Sequence, residues 1–330
     1  MSREALRLFD IKEVWRWPRL SEQEVEGLTV AQTRRHPQGA HDMGHVSQTL
    51  ANRFRQNRRF GQPFRQQAKH DAVRIPKDVR NLHHLVDHEG YDPLHAAYIS
   101  AQNLTSFFAE SVSTFDEFDA YYDIVSSAED TYMPGGPPLS PITVSYFTTW
   151  AMFDVRFGPD QETIGTCLID VANLMGMDAF TLETVQNFQE SRMGIYEHCG
   201  RVGSRVRLRE LVTDDTFECH VAAGYLGKEG ELWYVRRCPP LGDLFNYHLV
   251  FTTPYVLTET STSDWTAYLN KSLLETGRTD RHATLHDILK YGRDLQFWSE
   301  FIFLGYHHHR PDAIFLAGLP DVKGSLPHAN

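Results

Sequence analysis

Hydrophobic spacing changes three times along this chain. After Ser2, the residues Leu6, Phe9, Val14 and Trp17 recur at helical intervals and stop at Pro18, which predicts an amphipathic helix, with a second short one after Ser21. Over residues 31–81 the large apolar residues thin to Val46, Leu50, Phe54, Phe60, Phe64, Val73, Ile75 and Val79 among Gln, Arg, His and Asn. Burial that sparse does not offset the entropy of ordering, so the stretch is expected to be a poorly ordered arm, with one short helix near residues 46–58. Helical spacing returns at Pro93, where Leu94, Ala97, Tyr98, Ala101, Leu104, Phe107 and Phe108 share one face.

The box Thr114-Phe115-Asp116-Glu117 predicts a capped helix to about residue 128. A loop through Pro134-Gly135-Gly136-Pro137-Pro138 follows, and Ser140-Pro141 is expected to open an aromatic helix carrying Tyr146, Phe147, Trp150 and Phe153. Two more helices are expected, 161–175 capped by Asp160 and stopped by Gly176, and 182–196 capped by Thr181.

The period then shortens. Val206-Arg207-Leu208, Thr216 to Val221, Trp233 with Val235, and the run through Leu249 and Phe251 to Leu257 read as short strands, which short turns would pair antiparallel. Helices resume after Ser263-Asp264, and a long one is expected over 285–305, capped by Thr284 and Asp287 and nearly all apolar in its second half. The expected fold class is α+β: a mainly helical body with a small antiparallel β unit, barrel-like or curled, near 205–257. Its layout is a helical segment 1–30, a basic His/Arg/Gln-rich arm 31–92, a helical domain 93–203, the β unit 204–258, and a C-terminal helical part 259–330 packing on the body.

At 330 residues and 41% hydrophobic, the chain can bury a core without covalent staples. No stretch reaches the 18 apolar residues of a membrane span, and the first twenty residues alternate charged with apolar ones, so a soluble, cytoplasmic protein is expected. Cys167, Cys199, Cys219 and Cys238 stand far apart and read as free thiols. Charge adds more. The net charge of -11 divides into an arm, 31–81, with 11 Lys/Arg against 3 Asp/Glu, and a body, 96–330, with 16 against 31. Within the arm Arg53, Arg55, Arg58, Arg59 and Arg65 interleave with Phe54, Phe60 and Phe64, a composition suited to phosphate contact and base stacking. The same arm could lie on the acidic surface of its own body.

Of 17 histidines, seven fall between His36 and His88. On a helix His84 and His88 would stand one turn apart and could share a divalent metal ion with His95, and His41-Asp42 forms a second, looser pair. The run Ala40-His41-Asp42-Met43-Gly44-His45, with His83-His84 and Gly90-Tyr91-Asp92-Pro93, resembles pieces of the HD-type metal phosphohydrolases. That resemblance implies a metal-dependent hydrolase. His307-His308-His309 is expected to be the solvated end of the long helix, since adjacent residues point apart. No phosphate-binding, dinucleotide-binding, serine-elbow or HExxH motif occurs. The leading expectation is a non-catalytic interaction protein without a cofactor, binding a protein partner, another copy of itself, or nucleic acid through the arm. The alternative is the divalent-metal-dependent hydrolase.

Overall fold

A computed structural model describes residues 43–56, 90–133, 137, 140–242, 244–292, 302–303 and 305–317. The expected helices before residue 31 and most of the basic arm lie outside these residues. Eight α-helices are described: α1 His45–Gln56, α2 Pro93–Val112, α3 Asp119–Tyr132, α4 Val144–Phe153, α5 Ile164–Met175, α6 Ala179–Glu190, α7 Thr262–Thr276 and α8 Arg281–Tyr291. Eight strands accompany them: β1 Met193–Val202, β2 Arg205–Glu210, β3 Thr216–Val221, β4 Leu232–Cys238, β5 His248–Val250, β6 Tyr255–Leu257, β7 Tyr306–Arg310 and β8 Ala313–Leu316. The chain divides into two compact units, Met1–Ala120 with Gly158–Val185, and Tyr121–Phe157 with Gln186–Asn330. No helix among the described residues is long and apolar enough to cross a membrane.

In the first unit α1 buries Val46, Leu50 and Ala51 and packs on α5. Its opening amides are satisfied from far along the chain. Asp160 Oδ2 accepts from the His45 amide at 2.6 Å, and the two oxygens of buried Glu162 accept from Val46 and Ser47 at 2.8 and 2.9 Å. A carboxylate at that helix end also meets the positive end of the helix dipole. Gly44 makes room for it, because a Cβ there would overlap the Glu162 side chain. Asp160 therefore does not cap the helix it precedes. That helix begins later than expected, at Ile164, where Thr163 and Thr166 bond reciprocally at 3.1 and 2.8 Å. Its end is the expected one, Gly176 in the left-handed conformation at φ 71°.

Helix α2 starts at Pro93 as its spacing predicts, with Asp92 accepting from the Leu94 and His95 amides. The expected Thr114–Glu117 box does not form. Residues Asp116–Phe118 make a short 3-10 turn instead, and Glu117 turns to Arg53 at 2.6 Å.

In the second unit, α4 begins at Val144 under a Thr143 cap, three residues beyond the expected Pro141. Pro141 stays outside the helix, and its carbonyl accepts from Tyr255 Oη at 3.2 Å. The helix expected to reach residue 196 stops at Glu190, and β1 takes over at Met193. Gly194 favours this switch: in β1 it passes Tyr196 and Glu210 so closely that a Cβ would meet them at 2.7 and 2.9 Å.

The sheet order is β1-β2-β3-β5-β4-β6-β8-β7, and a further β1–β4 pairing closes its first five strands into a barrel. The β unit is mixed, whereas antiparallel pairing was expected throughout, because β3 runs parallel to β5 and β6 parallel to β8. The connection after β3 does not make a hairpin with β4, which leaves the β3 edge to β5. Trp233 and Val235 lie in β4, Leu249 in β5, and Phe251 just beyond it, as their alternation predicts. Tyr196, Val206, Leu208, Cys219, Val221, Trp233, Val235 and Val250 form the barrel core.

The late helix also differs. α8 runs from Arg281 to Tyr291 with Asp280 as its cap, accepting from Ala283 at 3.0 Å, and Thr284 lies inside it. Residues 293–301 lie outside the described set, and the His307–His309 triplet belongs to a strand, not to a helix end.

Candidate functional site

Of the residues the sequence singled out, His41, Asp42, His84, His88, Arg58, Arg59 and Arg65 lie outside the described residues. His95 sits in the first turn of α2 with Tyr91 edge-on at 5.2 Å. Among the described residues, no group of three or more His, Cys, Asp and Glu side chains could hold a metal ion. Arg53 is engaged within its own unit: its guanidinium holds Glu117 at 2.6 Å and lies 4.6 Å over the Phe115 ring. Arg55 reaches Asn52 at 3.2 Å. Burial pushes the thiols of Cys219 and Cys238 up to about 12 and that of Cys167 higher still, so these three stay protonated and unreactive.

A different row of arginines stands on the barrel. Strand β2 alternates, with Val206 and Leu208 facing the core and Arg205, Arg207 and Arg209 facing out. Arg209 is held between Glu197 and Asp214, and Arg207 sits 3.5 Å from Glu218. Arg205 differs: its guanidinium lies 3.7 Å over the Tyr247 ring, in the loop that leads into β5. At the end of β4, Arg237 lies 3.7 Å over Phe217, whose ring meets His248 edge-on at 4.7 Å. Burial, with help from the Arg237 charge, lowers His248 to about 4, so it is neutral at physiological pH. Only the first of these stacks stands on the outer face: Phe217 pairs with Leu208 and Arg237 with Val250, so the second turns toward the barrel interior, where Arg237 Nε donates to the Tyr196 hydroxyl at 3.4 Å. The period-2 arginines 205, 207 and 209 were the sequence signal for this face, while the larger charge excess of the arm drew attention elsewhere.

The second unit also buries charge. Asp154, at the end of α4, takes Arg236 of β4 on one oxygen and Lys290 of α8 on the other at 3.1 Å. The Ser191 carbonyl accepts from Arg236 at 3.1 Å and from Lys290 at 2.8 Å. Two cations around one carboxylate leave an excess positive charge, and Lys290 lines a small cleft with Tyr146, Trp150, Tyr234 and Tyr291. Burial outweighs the Asp154 carboxylate and lowers Lys290 to about 8.

A lysine lowered on folding costs stability wherever it is charged in both states. That cost fades as pH rises from about 8 toward the ordinary 10.5, because the folded form then releases its proton first. Wild type is therefore expected to gain stability relative to Lys290→Met by up to ~3 kcal/mol between pH 8 and 10.5. Urea unfolding of both proteins across that window measures it, and a flat difference would contradict the burial of this amine.

No protein-family model, curated protein or solved structure matches the chain.

Proposed function

We propose that this protein is a non-catalytic binding module whose barrel takes single-stranded nucleic acid across β2, β3 and the loop into β5. The observation that carries the reading is the outward stack of Arg205 on Tyr247, on the face of β2 that also carries Arg207 and Arg209. Among the described residues Arg205 has no carboxylate within ion-pair distance. A partly exposed guanidinium over a ring offers both ingredients of sequence-tolerant binding, a cation for phosphate and a flat surface for a base.

Topology supports the same reading. A closed order β1-β2-β3-β5-β4 with one parallel joint, β3–β5, is the strand order of the oligonucleotide/oligosaccharide-binding barrel. Barrels of that kind use the β2–β3 face and the loops between β1 and β2 and between β4 and β5. This is a fold-level analogy, and the Arg205 stack gives it chemistry. Arg58, Arg59 and Arg65 of the arm are further candidates for phosphate contact.

Fluorescence anisotropy with labelled oligo-dT and oligo-U at low salt tests the proposal. The change Arg205→Ala is expected to weaken binding about tenfold, given roughly 1–3 kcal/mol per stacked base. Removing residues 57–81, which leaves α1 in place, should flatten the salt dependence and keep the stacking contribution. Absence of binding to either oligomer at low salt overturns the reading, and a protein partner then becomes the better account of this face.

A further inference from the structure

Strand β7 is Tyr306-His307-His308-His309-Arg310, paired among the described residues with β8 alone and exposed from His307 onward. In a regular strand His307 and His308 would leave on opposite faces and could not share a ligand. β7 is not regular. Its register runs Tyr306 opposite Leu316 and then His308 opposite Phe315, so His307 is an extra residue in a bulge.

Bulges re-aim side chains, and this one brings the two imidazoles together. His307 Nδ1 stands 2.7 Å from His308 Nδ1, with the rings 4.9 Å apart and steeply inclined at 81°. His308 is fixed by lying flat on Phe315, at 4.4 Å between centroids and 1° between planes. His309 turns to the Tyr306 hydroxyl at 2.9 Å instead.

We infer that His307 and His308 form a two-imidazole site for a divalent transition ion of the copper, nickel and zinc class. Neutral imidazole suits these ions, while calcium and magnesium prefer oxygen. Metal–nitrogen bonds of about 2.0–2.1 Å hold two ligand nitrogens about 3 Å apart, so the pair needs to open by only a few tenths of an ångström. His307 is exposed and free to turn that far, against a His308 already held by Phe315. The ring that donates its Nδ1 hydrogen in the metal-free pair carries that hydrogen on Nε2 once bound, so no net proton transfer is required. Two protein nitrogens leave the remaining positions to water. The site is independent of the nucleic-acid face on β2 and β3.

Because other histidines of the chain can also take up metal, the readout has to be local. Substoichiometric CuCl2 added to the full-length protein is expected to broaden the backbone amide signals of residues 306–310 and 313–316 before other described segments. The double change His307→Ala and His308→Ala should abolish that broadening, and so should His307→Ala alone, which leaves the Phe315 contact intact. His309→Ala and the double change His84→Ala and His88→Ala should leave it unchanged. Signals of β7 and β8 that stay sharp at one equivalent of copper overturn the inference, as does broadening that survives in the His307→Ala, His308→Ala protein.

Discussion

Asp154→Ala is expected to lower the unfolding free energy by about 3–5 kcal/mol, because it strands two buried cations at once. Arg236 is 0% and Lys290 4% exposed, and Asp154 is the carboxylate both of them touch. After the change, Arg236 and Lys290 would share the Ser191 carbonyl and repel each other in a poorly solvated setting. Arg236→Met removes one cation and leaves Asp154 paired with Lys290, so its cost should be clearly smaller despite the similar burial. Urea unfolding followed by tryptophan fluorescence compares the two. Equal losses would mean that packing, not charge balance, governs this cluster.

Elements whose signals are local could be read from the sequence. Asp92-Pro93 opens α2 with a cap and a proline in adjacent positions, and Gly176 ends α5 by its own conformational freedom. The strands through Val206, Trp233 and Leu249 declare themselves by alternation and β-branched or aromatic content. Elements decided by distant partners could not be read. Asp160 looks like the cap of the helix after it, yet serves His45, 115 positions away. Thr114 and Glu117 spell a capping box, but Arg53 is a stronger partner for Glu117 than a backbone amide. The stretch from Met193 has enough apolar residues to continue a helix, and two neighbouring strands, β2 and β4, make it a strand instead.

The same distinction governs the candidate sites. Asp154 lies 82 positions from Arg236 and 136 from Lys290, so no spacing rule could join them. The two arginine stacks depend on which strand lies beside which, a consequence of barrel closure. For the His triplet, the rule that neighbours point apart holds for a regular strand, and one bulge defeats it. The arm, by contrast, advertised itself through composition, which reports charge without position.

Trp233→Ala is expected to cost about 3–5 kcal/mol, the range for emptying a large aromatic site in a packed core. The indole is 0% exposed on the inner wall of the barrel, opposite Tyr196 in the β1–β4 ladder. His198 and Tyr225 pack on it at 5.2 and 5.3 Å, and its Nε1 donates to Glu231 at 3.1 Å. Gly227 approaches it too closely for any Cβ and holds a positive φ of 56°, so the loop before β4 is shaped around the ring and has little room to collapse into the void. Glu231 would keep its bonds from Tyr225, both at 3.0 Å, so the loss falls on packing rather than on a stranded carboxylate. Trp233→Phe, which fills part of the space, should fall between wild type and the alanine variant. Arg205→Ala, on the outer face, should change stability by less than about 0.5 kcal/mol. If the barrel carries the binding surface, Trp233→Ala should lose oligonucleotide binding in step with the folded fraction as urea is raised, while Arg205→Ala should weaken binding in a protein that remains folded. A Trp233→Ala protein within about 1 kcal/mol of wild type would show that the ring is not part of a tightly packed barrel core.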